Sequence, residues 1–543
     1  MASAAHYDYI VVGGGSAGCV TAGRLVRDFG ARVLLLEAGP ADDNRLIRMP
    51  AGFVKLLFRP SPYVTVHRAE PQDTLDGRTC ILMQGRVLGG GSSINAMTYA
   101  RGTAADYKRW ETAAGQAGWG WDSLLPYFRK QEGNQRFNNS AHGIDGPLKV
   151  SDPHQPICDI SRAFLLALQT LGLPYLADYN SGRESGACIS QTTTFKGARC
   201  SAATAFIAPI RDDPRLTLKL DTAVTRILVE RQRAVGVEYG GSRHQPGETA
   251  YADNEIILTA GTYMSPKILM LSGIGPAAHL AEHGIAVLAD LPGVGQDMQD
   301  HNEVNLVAAT NGAYGYAGED RGLRMLANGF QYSMFGSGPV ASTGSEVMGF
   351  LNVEDADGEP NIQLYCVPVM LPNETIGPQA GHGFTLIANL IAPKSRGSVR
   401  LRSPDPTDLP LIRPNWLSHP DDGRVLVEGV RYLRRIVEAE PIARMVAGVR
   451  APSPSFDTDD SLLRYCRKAV NTNYHPVGSC RIGADGDPGA VLTPDLKVRG
   501  VERLRVFDAS MMPSIVSANT NAPVMAVADR GVDLMMGSTA GPR

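Results

Sequence analysis

Long apolar runs, basic tracts and paired cysteines are all missing from this 543-residue sequence. No stretch of eighteen or more apolar residues occurs, so no segment is expected to span a bilayer. Lysine and arginine number 52 against 55 aspartates and glutamates, a formal charge of −3. No run of cations is long enough to point to nucleic acid or to an anionic membrane surface, which leaves small molecules as the expected partners. The eight cysteines (Cys19, Cys80, Cys158, Cys188, Cys200, Cys366, Cys466 and Cys480) are scattered, with no CxxC pair and no histidine-rich companion cluster. Neither a disulfide framework nor a metal site is expected, and Cys480 reads as a packing thiol. Internal repeats and low-complexity tracts are absent. Only Met1 to His6 precede the first apolar strand, too few for a secretory signal, so the expected location is cytoplasmic.

What is present begins with a strand, a glycine turn and a helix start, Tyr9-Ile10-Val11-Val12-Gly13-Gly14-Gly15-Ser16-Ala17-Gly18, followed by Val33-Leu34-Leu35-Leu36-Glu37. This order is that of a dinucleotide site. Gly13 permits the turn, Gly15 admits a pyrophosphate to the backbone, Gly18 allows close strand–helix packing, and Glu37 ends the second strand where a carboxylate can bind ribose hydroxyls. A helix N-terminus near Ser16 turns unpaired N–H groups toward the phosphates. Taken alone, the motif does not separate NAD from FAD.

A glycine- and serine-rich loop, Gln84 to Asn95, follows in place of a regular doubly wound array. Its apolar flanks Val87, Leu88 and Ile94 predict an ordered loop that lays N–H groups and hydroxyls along a polar cofactor. Strands are expected at 216–220, 224–230, 234–239 and 255–262, then a helix from Ser265 that stops at Gly273. Further strands are expected at 362–369, 384–391 and 397–401, with an amphipathic helix over 421–439 and a last helix over 523–536. A chain of this length holds two or more lobes.

In this order the pieces resemble the glucose–methanol–choline family of FAD-dependent oxidoreductases. The resemblance rests on Gly85 to Asn95, on Gly261-Thr262-Tyr263-Met264-Ser265-Pro266 through Gly275, on Tyr474-His475-Pro476-Val477-Gly478-Ser479-Cys480, and on Asp508-Ala509-Ser510. It is strongest to the bacterial branch that includes L-sorbose dehydrogenase, choline dehydrogenase and hydroxymethylfurfural oxidase. The resemblance implies an α/β (α+β) fold: a Rossmann-like FAD domain from residues 1–155, 216–310 and 461–543, and a substrate domain with an antiparallel sheet from 156–215 and 311–460. Cofactor contacts are implied at Gly13, Gly15, Ser16, Gly18, Glu37, Ala38, Arg86, Ser92, Asn95, Val224, Asp508, Ala509 and Thr520. Choline oxidases carry a flavin-linking histidine where this chain has Ile94, so the FAD is expected to be non-covalent.

The implied reaction is oxidation of an alcohol to an aldehyde or ketone, with a sugar such as sorbose or another primary alcohol as substrate. His475 would take the hydroxyl proton, because imidazole titrates near working pH. Asn519, 44 residues later, cannot be a base but can donate a hydrogen bond to the substrate oxygen. Asn521 reads as a cap of the last helix. Oxygen or a quinone-type or artificial acceptor would reoxidise the cofactor, and the assembly could be a homodimer. The absence of a concentrated acidic cluster argues mildly against a quaternary ammonium substrate. Two other readings stand beside this one: a redox-silent lyase of the hydroxynitrile-lyase kind on the same scaffold, and an NAD-dependent dehydrogenase.

Overall fold

In the computed structural model, which describes residues 5–153, 155–182, 185–241 and 247–538, two seven-stranded sheets carry the architecture. The first runs in the order Leu216–Lys219, Val33–Leu36, Ala5–Val12, Glu248–Leu258, Arg233–Tyr239, Val224–Glu230, with Leu504–Val506 also paired to Glu248–Leu258. Its central strands are parallel, and the 224–239 hairpin continues it antiparallel. The uninterrupted apolar runs Ile10 to Val12 and Val33 to Leu36 are fully buried, as strands covered on both faces require.

The helix Ser16–Phe29 packs on this sheet and against the last helix, Asn521–Met536. Close approach depends on Gly18, where a Cβ would lie 1.9 Å from the Gly13 carbonyl oxygen. The two helices are also tied by the buried Arg24 guanidinium, which bonds Asp529 and, at 2.7 Å, Asp533. Removing either partner of such a buried pair typically costs ~3–5 kcal/mol.

The second sheet is antiparallel, in the order Val446–Ala451, Asn302–Thr310, Gly383–Leu390, Ile362–Val367, Val347–Leu351, Gly186–Ile189, with Asn471–Thr472 also paired to Asn302–Thr310. Strand alternation divides its residues between two environments. Val304, Leu306, Leu364, Cys366, Leu386 and Ala388 enter a core with Leu426, Val430 and Leu433 of the helix Pro420–Glu438. Glu303, Asn305, Tyr365, Val367 and Ile387, on the opposite face, line a cavity shared with the first sheet. The protein is thus a mixed α/β fold whose two sheets enclose one large space.

Candidate active site

That cavity measures 2010 Å³, room for a dinucleotide and a substrate together. Its walls come from the glycine turn after the first strand, the 84–98 loop, the N-termini of the first and last helices, and the open face of the second sheet. Of the sequence-predicted cofactor contacts, Gly13, Gly15, Ser16, Glu37, Ala38, Arg86, Asn95, Val224, Asp508, Ala509 and Thr520 all line it. Gly18 and Ser92 do not. Gly18 acts through packing, and the Ser92 hydroxyl is committed elsewhere, donating to Gly89 O (2.6 Å) and accepting from Ala202 N (2.9 Å).

Both glycine-rich turns present backbone to the cavity. A Cβ on Gly90 would come within 2.7 Å of Gly15 Cα, so the two turns touch main chain to main chain. One on Gly15 would meet nothing closer than 3.9 Å, so this turn is not crowded on its cavity side. The Glu37 carboxylate accepts from Gly14 N (2.7 Å) and Gly39 N (2.8 Å), and burial raises it to about 7. Asp508 is spent on stitching: it accepts from Gly261 N (2.9 Å), from Ser265 Oγ (2.5 Å), and from the N–H and hydroxyl of Ser510. Asn521 is the first helical residue, not a cap; its Oδ1 accepts from Ser16 Oγ at 2.8 Å and joins the two helix N-termini at the cavity. The first turn of that last helix contains no acid, so its dipole faces the cavity unopposed.

At the other end of the cavity lie His475 and Asn519, 3.3 Å apart through Nε2 and Nδ2. The loop carrying His475 is held from outside. Asp300, buried, accepts from His475 N (2.9 Å) and Thr472 Oγ1 (2.6 Å), and Gln299 and Val477 exchange backbone bonds. Thr262 Oγ1 donates to Pro476 O at 2.7 Å.

With the amides oriented as they are in the structure, a chain of hydrogen bonds assigns the proton positions. Asn389 Nδ2 donates to Gln363 Oε1 (3.2 Å), which leaves Gln363 Nε2 to donate to Asn519 Oδ1 (3.3 Å). Tyr365 OH donates to the same oxygen at 3.3 Å. With Oδ1 accepting, Asn519 Nδ2 donates to His475 Nε2, and the imidazole then carries its proton on Nδ1. That proton is directed at His301 Nδ1, 3.0 Å away, with the two rings at 89°. His475 is thereby assigned neutral, with Nε2 unprotonated at the cavity wall and accepting from Asn519 Nδ2. Burial pushes it the same way, down to about 4, and pushes His301 lower still than an ordinary histidine.

The sequence reading missed His301, Asp300, Glu303 and Gln363. Asp300 and His301 close a polar turn in the sequence, Gly293 to His301, and His301 lies at the entry to a strand, Asn302–Thr310. Glu303 lines the cavity without a hydrogen-bond partner among the described residues, and burial, reinforced by the Asp300 charge, raises it to about 8. Met97 and Tyr365 line the cavity, whereas Tyr63 and Phe335 do not. One group among the described residues, His279, Glu282 and His283, brings three ligand atoms close together. His279 Nε2 accepts from Leu401 N at 3.0 Å, which places its proton on the Nδ1 that a metal would need.

The model of the GMC oxidoreductase N-terminal domain matches residues 7–303 and that of its C-terminal domain residues 393–528. The chain is 40% identical to an alcohol dehydrogenase [acceptor] of Pseudomonas putida, over 98% of this chain and 96% of that one. It is 39% identical to a mitochondrial choline dehydrogenase of Homo sapiens, over 98% and 90%. The crystal structure of pyridoxine 4-oxidase from Mesorbium loti superposes with a TM-score of 0.87 at 31% identity, covering 97% of this chain and 98% of the other. The chain belongs to the GMC oxidoreductases, FAD-dependent enzymes that act on CH–OH donors, and the nicotinamide reading falls with that membership.

Proposed function

We propose that this GMC oxidoreductase oxidises a primary alcohol to the aldehyde, with His475 as the base and Asn519 as the amide that holds the alcohol oxygen. FAD would lie along Gly13, Gly15, Ser16, Glu37, Ala38, Gly90, Asn95, Val224 and Ala509, and when bound it supplies the hydride acceptor. Ile94 on the cavity wall offers no nucleophile, and no cysteine lines the cavity, which supports non-covalent binding. The observation that carries the reading is the directed hydrogen-bond chain from Asn389 to His301, because it leaves one unprotonated imidazole nitrogen facing the cavity. The alcohol would replace the Asn519–His475 bond: Asn519 Nδ2 turns to donate to the alcohol oxygen, and His475 Nε2, released, takes the hydroxyl proton. His301 accepts the Nδ1 proton throughout, so the ring cannot turn away.

A second feature narrows the substrate. Glu303, beside Tyr365 and Tyr474, is a carboxyl group without a partner among the described residues, and the fold places it in the cavity wall although the sequence shows no concentrated acidic cluster. An alcohol carrying a cationic or strongly donating group satisfies it, as the likeness to choline dehydrogenase suggests, and neutral sugars such as sorbose are the contrasting class.

The test is anaerobic mixing of the purified flavoprotein with choline, other amino alcohols, sorbose, hydroxymethylaromatics and aliphatic primary alcohols. Bleaching of the flavin by an alcohol is expected. Subsequent air separates oxygen from a quinone-type acceptor by the speed of recolouring. Cleavage of a cyanohydrin with no bleaching by any alcohol would instead establish the redox-silent lyase.

A further inference from the structure

One helix stands apart from the packing of the rest. Gly322–Phe335 has no buried residue, yet its outward side is apolar. Leu323, Leu326, Phe330 and Met334 recur at helical spacing and are 83%, 64%, 65% and 61% exposed. The opposite side holds Met325, Asn328 and Gly329, which line the cavity, so the helix covers the cavity mouth. Its neighbours extend the patch. The segment Phe53–Leu57, also in the cavity wall, exposes Val54 and is followed by exposed Phe58; the hairpin that exposes Phe195 abuts Gly336 through Gly197.

Cations flank this apolar face on the side of the 45–59 segment and of the hairpin at Lys196. Arg45, Arg48, Lys55 and Arg59 fall within fifteen residues that contain no acid, all four are exposed, and Lys196 sits at the tip of the hairpin. None of these five forms an ion pair among the described residues, whereas the acids nearest the helix, Glu319 and Asp320, are paired with Arg324 and Arg321. A water-exposed apolar stripe flanked by cations without ion-pair partners among the described residues complements a layer of acyl chains beneath anionic headgroups.

We propose that this face docks on an anionic phospholipid bilayer, with the Gly322–Phe335 helix lying in the interface and the cavity mouth opening against the lipid. The protein then needs no spanning segment to reach a membrane, and a lipid-soluble alcohol or electron acceptor can enter the cavity without crossing water. The net charge of −3 conceals this because the cations are gathered on one side of the molecule by the fold.

The test is flotation of the full-length flavoprotein with vesicles of phosphatidylglycerol and phosphatidylcholine mixed, and of phosphatidylcholine alone. Binding to the mixed vesicles is expected, weakened by salt and by the neutral composition. Leu323→Asp/Phe330→Asp should lower the partition coefficient by about tenfold or more, and Arg48→Glu/Lys196→Glu by about tenfold on anionic vesicles only. Unchanged flavin absorbance shows that each variant is folded. Equal partitioning of the variants and the parent, or absence of the parent from floated vesicles, overturns the proposal. A stable dimer in light scattering that Leu323→Asp/Phe330→Asp converts to monomer also overturns it, since a second copy would then cover the patch. These readouts do not depend on catalysis and fail separately from the alcohol-oxidation reading.

Discussion

His301 and His475 face each other Nδ1 to Nδ1 at 3.0 Å, so one ring must donate and the other accept. The amide of Asn519 decides which. Its oxygen is already taken by Gln363 and Tyr365, its nitrogen donates to His475 Nε2, and the His475 proton is left on Nδ1. The second sheet thus assigns the tautomer of a residue on a loop outside it.

His301 is a positioning residue in this account. His301→Leu removes the acceptor for Nδ1–H and should lower the rate of flavin reduction by about 10²-fold, with FAD still bound. His301→Asn, whose amide oxygen can accept, should recover much of the loss and restore the pH profile. Equal rates for the parent and the Leu variant would remove His301 from the account.

Gln363 tests the direction of the chain. Gln363→Leu deletes one donor to Asn519 and should slow reduction about fivefold, the equivalent of one hydrogen bond of ~1 kcal/mol. Gln363→Glu is of nearly the same size but its carboxylate only accepts, so Asn519 turns its nitrogen toward it and presents oxygen to His475 Nε2. That nitrogen must then carry the proton, and the loss should exceed that of the Leu variant. A Glu variant faster than the Leu variant would contradict the proposed proton order.

The pH dependence has a definite sign. A base works unprotonated, so the rate falls as pH drops through the pKa of His475. Because burial lowers that value to about 4, the acid limb of flavin reduction by a neutral alcohol should lie below 6.5, the ordinary histidine value. A limb above 6.5 would mean that the active imidazole is not desolvated in this way.

Glu303 separates substrate classes. Glu303→Gln keeps shape and hydrogen bonding but cannot become charged. It should raise KM for a cationic alcohol by about tenfold or more while leaving a neutral primary alcohol within about twofold, since a charged partner is worth more than a neutral one. For the parent, affinity for the cation should rise as pH increases toward 8, where the carboxyl ionises. The same KM change for both alcohols would make Glu303 a structural residue.

Much of the cofactor side was legible in the sequence. The glycine turn, Glu37 and the 84–95 loop are local signals, and each is found on the cavity wall or packed beneath it. The strands at 362–367 and 383–390 were also within reach, because apolar β-type runs announce them. His475 and Asn519, singled out by motif and spacing, both line the cavity. His301, Gln363 and Glu303 were not singled out, because their function arises from pairing between strands distant in sequence: Gln363 gains its meaning only from Asn389 across the ladder and Asn519 beyond it. The cation-flanked face was hidden for the same reason, since Lys196 and the 45–59 segment meet only in the fold.

The most direct test of the central claim is the anaerobic rate of flavin bleaching by an oxidisable alcohol, measured by stopped flow for the parent and for His475→Ala. The account predicts that the variant retains its flavin absorbance and is reduced about 10²–10⁴-fold more slowly, the span expected for loss of a general base. Reduction at the parental rate would contradict the assignment of His475 and, with it, the function of the hydrogen-bond chain that holds it.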